Sequence, residues 1–222
     1  MRLAIFAATG GIGRHLLTQS VAAGHDVTAV VRDPARLTAP EGVRVVTADL
    51  VAPGDSLVTA LGGIDAVLSG LGPRTKADSG IAARGTRAIT EAMKAADVRR
   101  IVVVSAAPVG TVAVPGRENP PKHDPGDGFI MRHVLAPIAG RALRKVFVDL
   151  AEMEAGLAES GLDWTSVRPP RLTDKPLTRT YRTAYGQNLK RGLTVSRADV
   201  AHFMLAIVDR PATYGQTIGI AD

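Results

Sequence analysis

The chain has 222 residues, enough for one large domain with a full core. With 45% hydrophobic and 22% charged residues it is not a disordered chain, and without cysteine it has no disulfide framework and no thiolate zinc site. The net charge of +6 is scattered rather than gathered into one run, and one Trp, three Tyr and four Phe are too few for a base-stacking surface, so no nucleic-acid partner is expected.

The N-terminal apolar run is too short for a secretory signal, and no run approaches the length of a membrane span. The expectation is a cytoplasmic protein, monomeric or a small homo-oligomer, without stable membrane association.

In chain order, strand and helix signals alternate. Leu3–Ala7 reads as a buried parallel strand and Ile12–Ala23 as a helix carrying Ile12, Leu16 and Leu17. Asp26–Val31 and Val43–Thr47 read as strands, Asp55–Leu61 as a short helix and Asp65–Ser69 as a fourth strand. Ser79–Ala96 is a long helix with Ile81, Gly85, Ala88, Ile89, Ala92 and Met93 on one face; Ile101–Val104 is a continuous β-branched strand. Five prolines and four glycines between Pro108 and Gly128 then break the rhythm, as in a mobile lid-like insert of about residues 108–145. Phe129–Lys145 reads as helix in two pieces kinked at Pro137, and Val146–Ser160 as a stronger helix. Asp163–Arg168 is a strand, Ser196 and Asp199 form a capping box before another helix, and Thr217–Ile220 is a last short strand. The fold class expected is α/β: a Rossmann-like, doubly wound parallel sheet in a single domain.

The spacing Ala7-x-x-Gly10-x-x-Gly13 between the first strand and first helix has the rhythm of a dinucleotide-binding turn. Glycine there lets backbone approach a pyrophosphate, and the helix N-terminus offers unpaired N–H groups to it. The second strand ends in Arg32, with Arg36 one turn on, where NAD-binding folds usually place an acid. Two guanidiniums suit a 2′-phosphate, so NADP(H) is expected over NAD(H); the alternative is a pair of solvated surface charges. Asp33 is expected to cap the turn that Pro34 begins.

Phe6-Ala7-Ala8-Thr9-Gly10-x-x-Gly13 followed by Gly24-His25-Asp26-Val27-Thr28-Ala29-Val30-Val31-Arg32-Asp33 resembles the atypical short-chain dehydrogenase/reductases of the NAD(P)H-binding type. Ala48-Asp49-Leu50, Leu71-Gly72-Pro73-Arg74 and Ser105-Ala106 fit the same pattern. Ser160-Gly161-Leu162, Arg168-Pro169-Pro170, Asp174-Lys175-Pro176-Leu177-Thr178 and the stretch Asp199-Val200-Ala201-His202-Phe203-Met204-Leu205 resemble the flavin reductase/biliverdin-IXβ reductase branch. The resemblance covers all but about residues 110 to 145.

It implies that Ala8, Thr9, Gly10, Gly11, Ile12 and Gly13 form the pyrophosphate turn, that Arg32 and Arg36 take the 2′-phosphate, and that Asp49 and Leu50 border the adenine. It implies that Leu71, Gly72 and Arg74 line the cofactor, with Ser105 and Ala106 beside the nicotinamide and the substrate. Ala7 departs from it by replacing the first glycine, and Arg171 by replacing a histidine after Pro170. Pro170 and Arg171 are expected at the substrate end, Arg171 pairing either with an anionic acceptor or with a nearby carboxylate.

No Tyr in the chain has Lys four residues later, and the helix positions where that pair belongs hold Phe147 and Ala151. Neither can protonate an alkoxide, so alcohol–ketone chemistry by that route is excluded. Hydride transfer to a conjugated acceptor such as a flavin or quinone needs only positioning and water exclusion, with the proton supplied by solvent. Ser105 is the candidate catalytic residue, orienting the nicotinamide amide or a substrate carbonyl; otherwise it is a strand-end hydroxyl bonded to backbone. There is no nucleophile elbow, no P-loop and no metal-ligand spacing among the five His. Two function classes remain: an NADPH-dependent reductase of conjugated acceptors, and a non-catalytic NADP(H)-binding redox sensor.

Overall fold

The computed structural model describes residues 1–52, 55–73, 78–128 and 143–222. Short apolar runs make its strands: β1 Arg2–Phe6, β2 Asp26–Val31, β3 Arg44–Thr47, β4 Ala66–Ser69, β5 Arg100–Val104, β6 Asp163–Arg168, β7 Arg171–Thr173, β8 Arg182–Tyr185, β9 Thr194–Ser196 and β10 Gln216–Ala221. The helices are α1 Gly11–Ala22, α2 Asp55–Leu61, α3 Ile81–Ala95, α4 Arg144–Glu159 and α5 Arg197–Ala206.

One sheet runs in the order β3-β2-β1-β4-β5-β6-β10-β8. Every pairing in it is parallel except the antiparallel edge pair β10–β8. β5 sits in the middle and is buried along its whole length, as its β-branched sequence requires of a strand covered on both faces. Side chains alternate across β1: Ala4 and Phe6 join the core under α2, α3 and α4, whereas Leu3 and Ile5 join the core under α1 and α5. Strand order reverses beside β1, which has β2 on one side and β4 on the other, and this opens a crevice at the carboxyl ends of these strands.

Two buried charged residues hold the layers. Gly80 precedes α3 with a left-handed backbone and no capping side chain. Asp149 of α4 supplies the cap instead, accepting from the backbone N–H of Ala82 at 3.1 Å and of Ala83 at 2.9 Å. Arg100 of β5 is 5% exposed and donates to the carbonyls of Ile207 and Val208, just past α5, at 2.9 and 2.8 Å. Burial pulls its pKa down to about 10, so it stays charged at neutral pH and complements the negative end of α5.

Residues 108–128 differ from the structureless stretch expected. Ala107–Thr111 forms a short 3-10 helix, Val114 pairs with Arg117, and Val109 and Val114 are buried. The two-piece helix expected over Phe129–Lys145 falls mostly outside the described residues. β7, β8 and β9 were not foreseen; β7 and β9 form a small parallel sheet of their own. No helix among the described residues is long and apolar enough to cross a membrane.

Candidate functional site

β1 ends at Phe6, and Ala7 then takes a left-handed conformation with φ 56°. This sets the reversal that lets the Gly10 N–H return to the Ala7 carbonyl at 2.8 Å. A Cβ on Gly13 would overlap the same carbonyl, so only glycine allows α1 to start this close to the turn. Gly10, the N-cap of α1, gives no side-chain cap, and the first turn of α1 carries no acid. Its amide end is therefore uncompensated by side chains and favours an anion.

A cavity of about 450 Å³ opens at this point. Thr9, Gly10, Gly11 and Ile12 wall one side, and Arg32 and Arg36 line it where β2 ends. Asp49 and Leu50 line it after β3, Leu71 and Gly72 after β4, and Ser105 after β5. These residues are far apart in sequence; the parallel register brings them together because each follows the carboxyl end of a neighbouring strand.

Arg32 and Arg36 are exposed, and neither forms an ion pair with a described residue. Asp33 turns back to accept from the Ala35 N–H at 3.1 Å, capping the 3-10 turn Pro34–Arg36 and leaving both guanidiniums free of it. Asp49 likewise accepts locally, from the Val51 N–H at 2.9 Å.

Other expected residues lie elsewhere. Ala8 is fully buried in the core beneath α1, Gly13 packs against the turn, and Ala106 precedes the 3-10 helix; none lines the cavity. Arg74 lies outside the described residues. Pro170 and Arg171, expected at the substrate end, do not line the cavity either. The cause is β7, in which successive side chains alternate: Leu172 turns to the cavity, and Arg171 is exposed.

Beneath Ser105 lies an ion cluster that the sequence did not reveal. Glu154 of α4, 3% exposed, accepts from Arg168 Nε at 2.9 Å and Nη2 at 2.6 Å, from Ser166 Oγ at 2.8 Å and from Arg117 Nη1 at 3.2 Å. Burial alone would raise its pKa; the hydrogen bonds and charge of Arg168, with the Ser166 and Ser105 hydroxyls, outweigh this and hold the carboxyl below its ordinary value. Ser105 Oγ is itself buried and makes no hydrogen bond of good geometry, so it does not act as a strand-end hydroxyl bonded to backbone. Phe147 and Ala151, two turns and one turn before Glu154 on α4, are buried and apolar.

Arg197 was also missed. It is the first residue of α5, lines the cavity and pairs with Asp174 at 2.7 Å. The capping box Ser196–Asp199, in which Ser196 Oγ accepts from the Asp199 N–H at 2.9 Å, was the available signal for where that helix starts.

The uncharacterized sugar epimerase YhfK of Bacillus subtilis (strain 168) is 26% identical over 229 residues, spanning 100% of this chain and 94% of that protein. Among solved structures, the oxidoreductase ylbE of Lactococcus lactis superposes with a TM-score of 0.81 at 19% identity, covering 100% of this chain and 91% of that one. ChuY, an anaerobilin reductase of Escherichia coli O157:H7, gives 0.77 at 22% identity, covering 100% and 97%. These likenesses establish a shared Rossmann-like fold. A family model described as NAD(P)H-binding matches residues 7–211, almost the whole chain, and the protein belongs to that NAD(P)H-binding family.

Proposed function

We propose that the protein is an NADPH-dependent reductase that transfers hydride to a conjugated acceptor such as a flavin or quinone. The observation that carries this reading is one cavity with Arg32 and Arg36, in no ion pair among the described residues, at one part of its wall and the buried Ser105 hydroxyl at another. Its residues fit a dinucleotide: an uncapped helix end for pyrophosphate, guanidiniums for a 2′-phosphate, and a buried hydroxyl with no hydrogen bond of good geometry to meet an amide.

A bound nicotinamide would supply the hydride. Thr9 to Ile12 would hold its pyrophosphate, and Arg32 and Arg36 would select NADP(H) over NAD(H). Ser105 Oγ would orient the nicotinamide amide or an acceptor carbonyl. Val146, Leu150 and Leu172 line the cavity with apolar surface that excludes water. The acceptor gains the hydride, and solvent then supplies the proton that completes a two-electron reduction.

The name of the Bacillus relative points to epimerisation, which moves a proton or hydride at a carbinol carbon and needs an acid–base group there. Phe147 and Ala151 cannot serve, and this favours reduction of a conjugated system. The reductase name of the Escherichia coli protein agrees with it.

The test is NADPH oxidation followed spectroscopically with FMN, FAD and menadione. Turnover with any of them supports the reading. Tight NADPH binding with no turnover on any acceptor would replace it with a non-catalytic redox sensor, and efficient reduction of simple ketones alone would refute it.

A further inference from the structure

We propose that Arg197 binds the pyrophosphate of the dinucleotide and that Asp174 is the counter-ion it leaves to do so. The proposal rests on the reading of the cavity as a dinucleotide site. Arg197 stands across the glycine turn from α1: a Cβ built on Gly11 would come within 2.7 Å of Arg197 Cδ and 2.8 Å of Nε. The missing side chain at Gly11 thus makes room for the arginine stem as well as for a ligand. Arg197 lines the same cavity wall region as Thr9, Gly10 and Ile12.

Two positive features therefore meet at one place. The amide end of α1 has neither a side-chain cap nor an acid in its first turn, and the guanidinium lies against it. A third feature marks the cavity as a ligand site: the hydroxyl of Ser105, 7% exposed, lines it beside Glu154 and makes no hydrogen bond of good geometry there. The counter-ion of Arg197 is Asp174, whose side chain is 87% exposed. An ion pair this open to water is weak, whereas a pyrophosphate offers two phosphate groups in a fork that suits a guanidinium.

The backbone around the pair is held by hydrogen bonds. Ser196 caps α5, and Asp199 accepts from the Thr178 N–H at 2.9 Å and the Arg179 N–H at 2.7 Å. These bonds anchor the chain after Asp174 to the start of the helix that carries Arg197.

The pyrophosphate is common to NADH and NADPH, which separates this role from that of Arg32 and Arg36. Titration of the full-length protein with NADPH, NADH and ADP tests it. Arg197→Gln should weaken all three by a similar factor, about tenfold to a hundredfold, the range of one charge-assisted hydrogen bond. Asp174→Asn should tighten all three, by up to about fivefold at low salt, because it removes a weak surface competitor. A loss confined to NADPH would make Arg197 a 2′-phosphate residue and overturn the proposal, as would unchanged affinities. Weaker binding in Asp174→Asn would show that Asp174 positions Arg197 rather than competing for it, and would overturn the exchange. Asp174 is exposed, so this variant keeps the test alive if Arg197→Gln fails to fold. A wild-type protein that binds no dinucleotide would sink the site reading together with the proposal; loss of NADPH preference alone would leave the Arg197 proposal standing.

Discussion

Ala7 holds a left-handed backbone that a glycine would adopt without strain. The penalty for a residue with a Cβ is about 1–2 kcal/mol, and part of the relief is offset by the greater freedom of glycine in the unfolded chain. Ala7→Gly should therefore stabilise the protein by up to about 1 kcal/mol, raising Tm by roughly 2–4 °C. A lower Tm in calorimetry would contradict this account of the turn. Arg32 and Arg36 bear on cofactor choice. Under the proposed function, Arg32→Ala with Arg36→Ala should raise the Kd for NADPH far more than for NADH, each lost charge-assisted bond costing about 1.5–3 kcal/mol. Equal losses for both cofactors would reduce the two arginines to surface charges.

Among the elements, the insert after β5 departs most from expectation. A Pro- and Gly-rich composition suggests mobility, yet residues 108–128 are fastened at both ends of the described stretch. Arg117 donates to the Val109 carbonyl at 2.8 Å and reaches Glu154 of α4. Asp124, 3% exposed, accepts from the N–H groups of Gly126 and Asn188, each at 2.8 Å, and Asn188 Nδ2 donates to Asp127 at 2.9 Å. A Cβ on Gly126 would overlap the Asn188 carbonyl, so glycine is required for that approach. Hydrogen exchange should find the Gly126 and Asn188 amides protected before any ligand is added. Asp124→Ala should abolish that protection and cost about 1–3 kcal/mol by leaving buried donors unpaired. Fast exchange at both amides in the wild type would restore the picture of a mobile segment.

Across the whole molecule, two carboxylates with lowered pKa tie separate regions together. Glu154 joins α4, β6 and the insert; Asp199 joins α5 to residues 178–179. For Asp199, burial pushes the pKa up, but the Ser196 hydroxyl and the Arg179 and Thr178 amides outweigh it. Both groups are more acidic folded than unfolded. Their contribution is complete above the ordinary carboxylate range of about 4 and is lost as pH falls through the lower folded values, because the unfolded chain takes up protons first. The contribution of these two carboxylates should thus be flat from neutral pH down to about 5 and fall below it. Glu154→Gln should cost about 3–5 kcal/mol at pH 7, since it leaves Arg168 buried without its partner, and should flatten the acid limb. Urea denaturation across pH checks both; an acid limb unchanged in Glu154→Gln would remove this carboxylate from the explanation.

The alternation of strand and helix, the glycine turn and the arginines after β2 were all readable from local pattern. A buried parallel strand needs a continuous apolar run, and a tight strand–helix turn needs glycine at set spacing, so β1 to β6 with α1 and α3 emerged within a residue or two of their observed ends. The helix positions of Phe147 and Ala151 were legible for the same reason. What no local pattern encodes is which distant residues share a cavity. Arg171 and Leu172 are neighbours in sequence, and only the pairing of β7 with β9 decides that Leu172 faces inward. Glu154 looks like any helical surface glutamate until β6 brings Arg168 and Ser166 against it. Arg197 looks like a helix-start charge until the packing of α5 beside α1 lays it over Gly11. The elements are set by short-range hydrophobic period and backbone sterics, whereas the chemistry of the cavity comes from side chains that only the sheet register and the helix packing bring together.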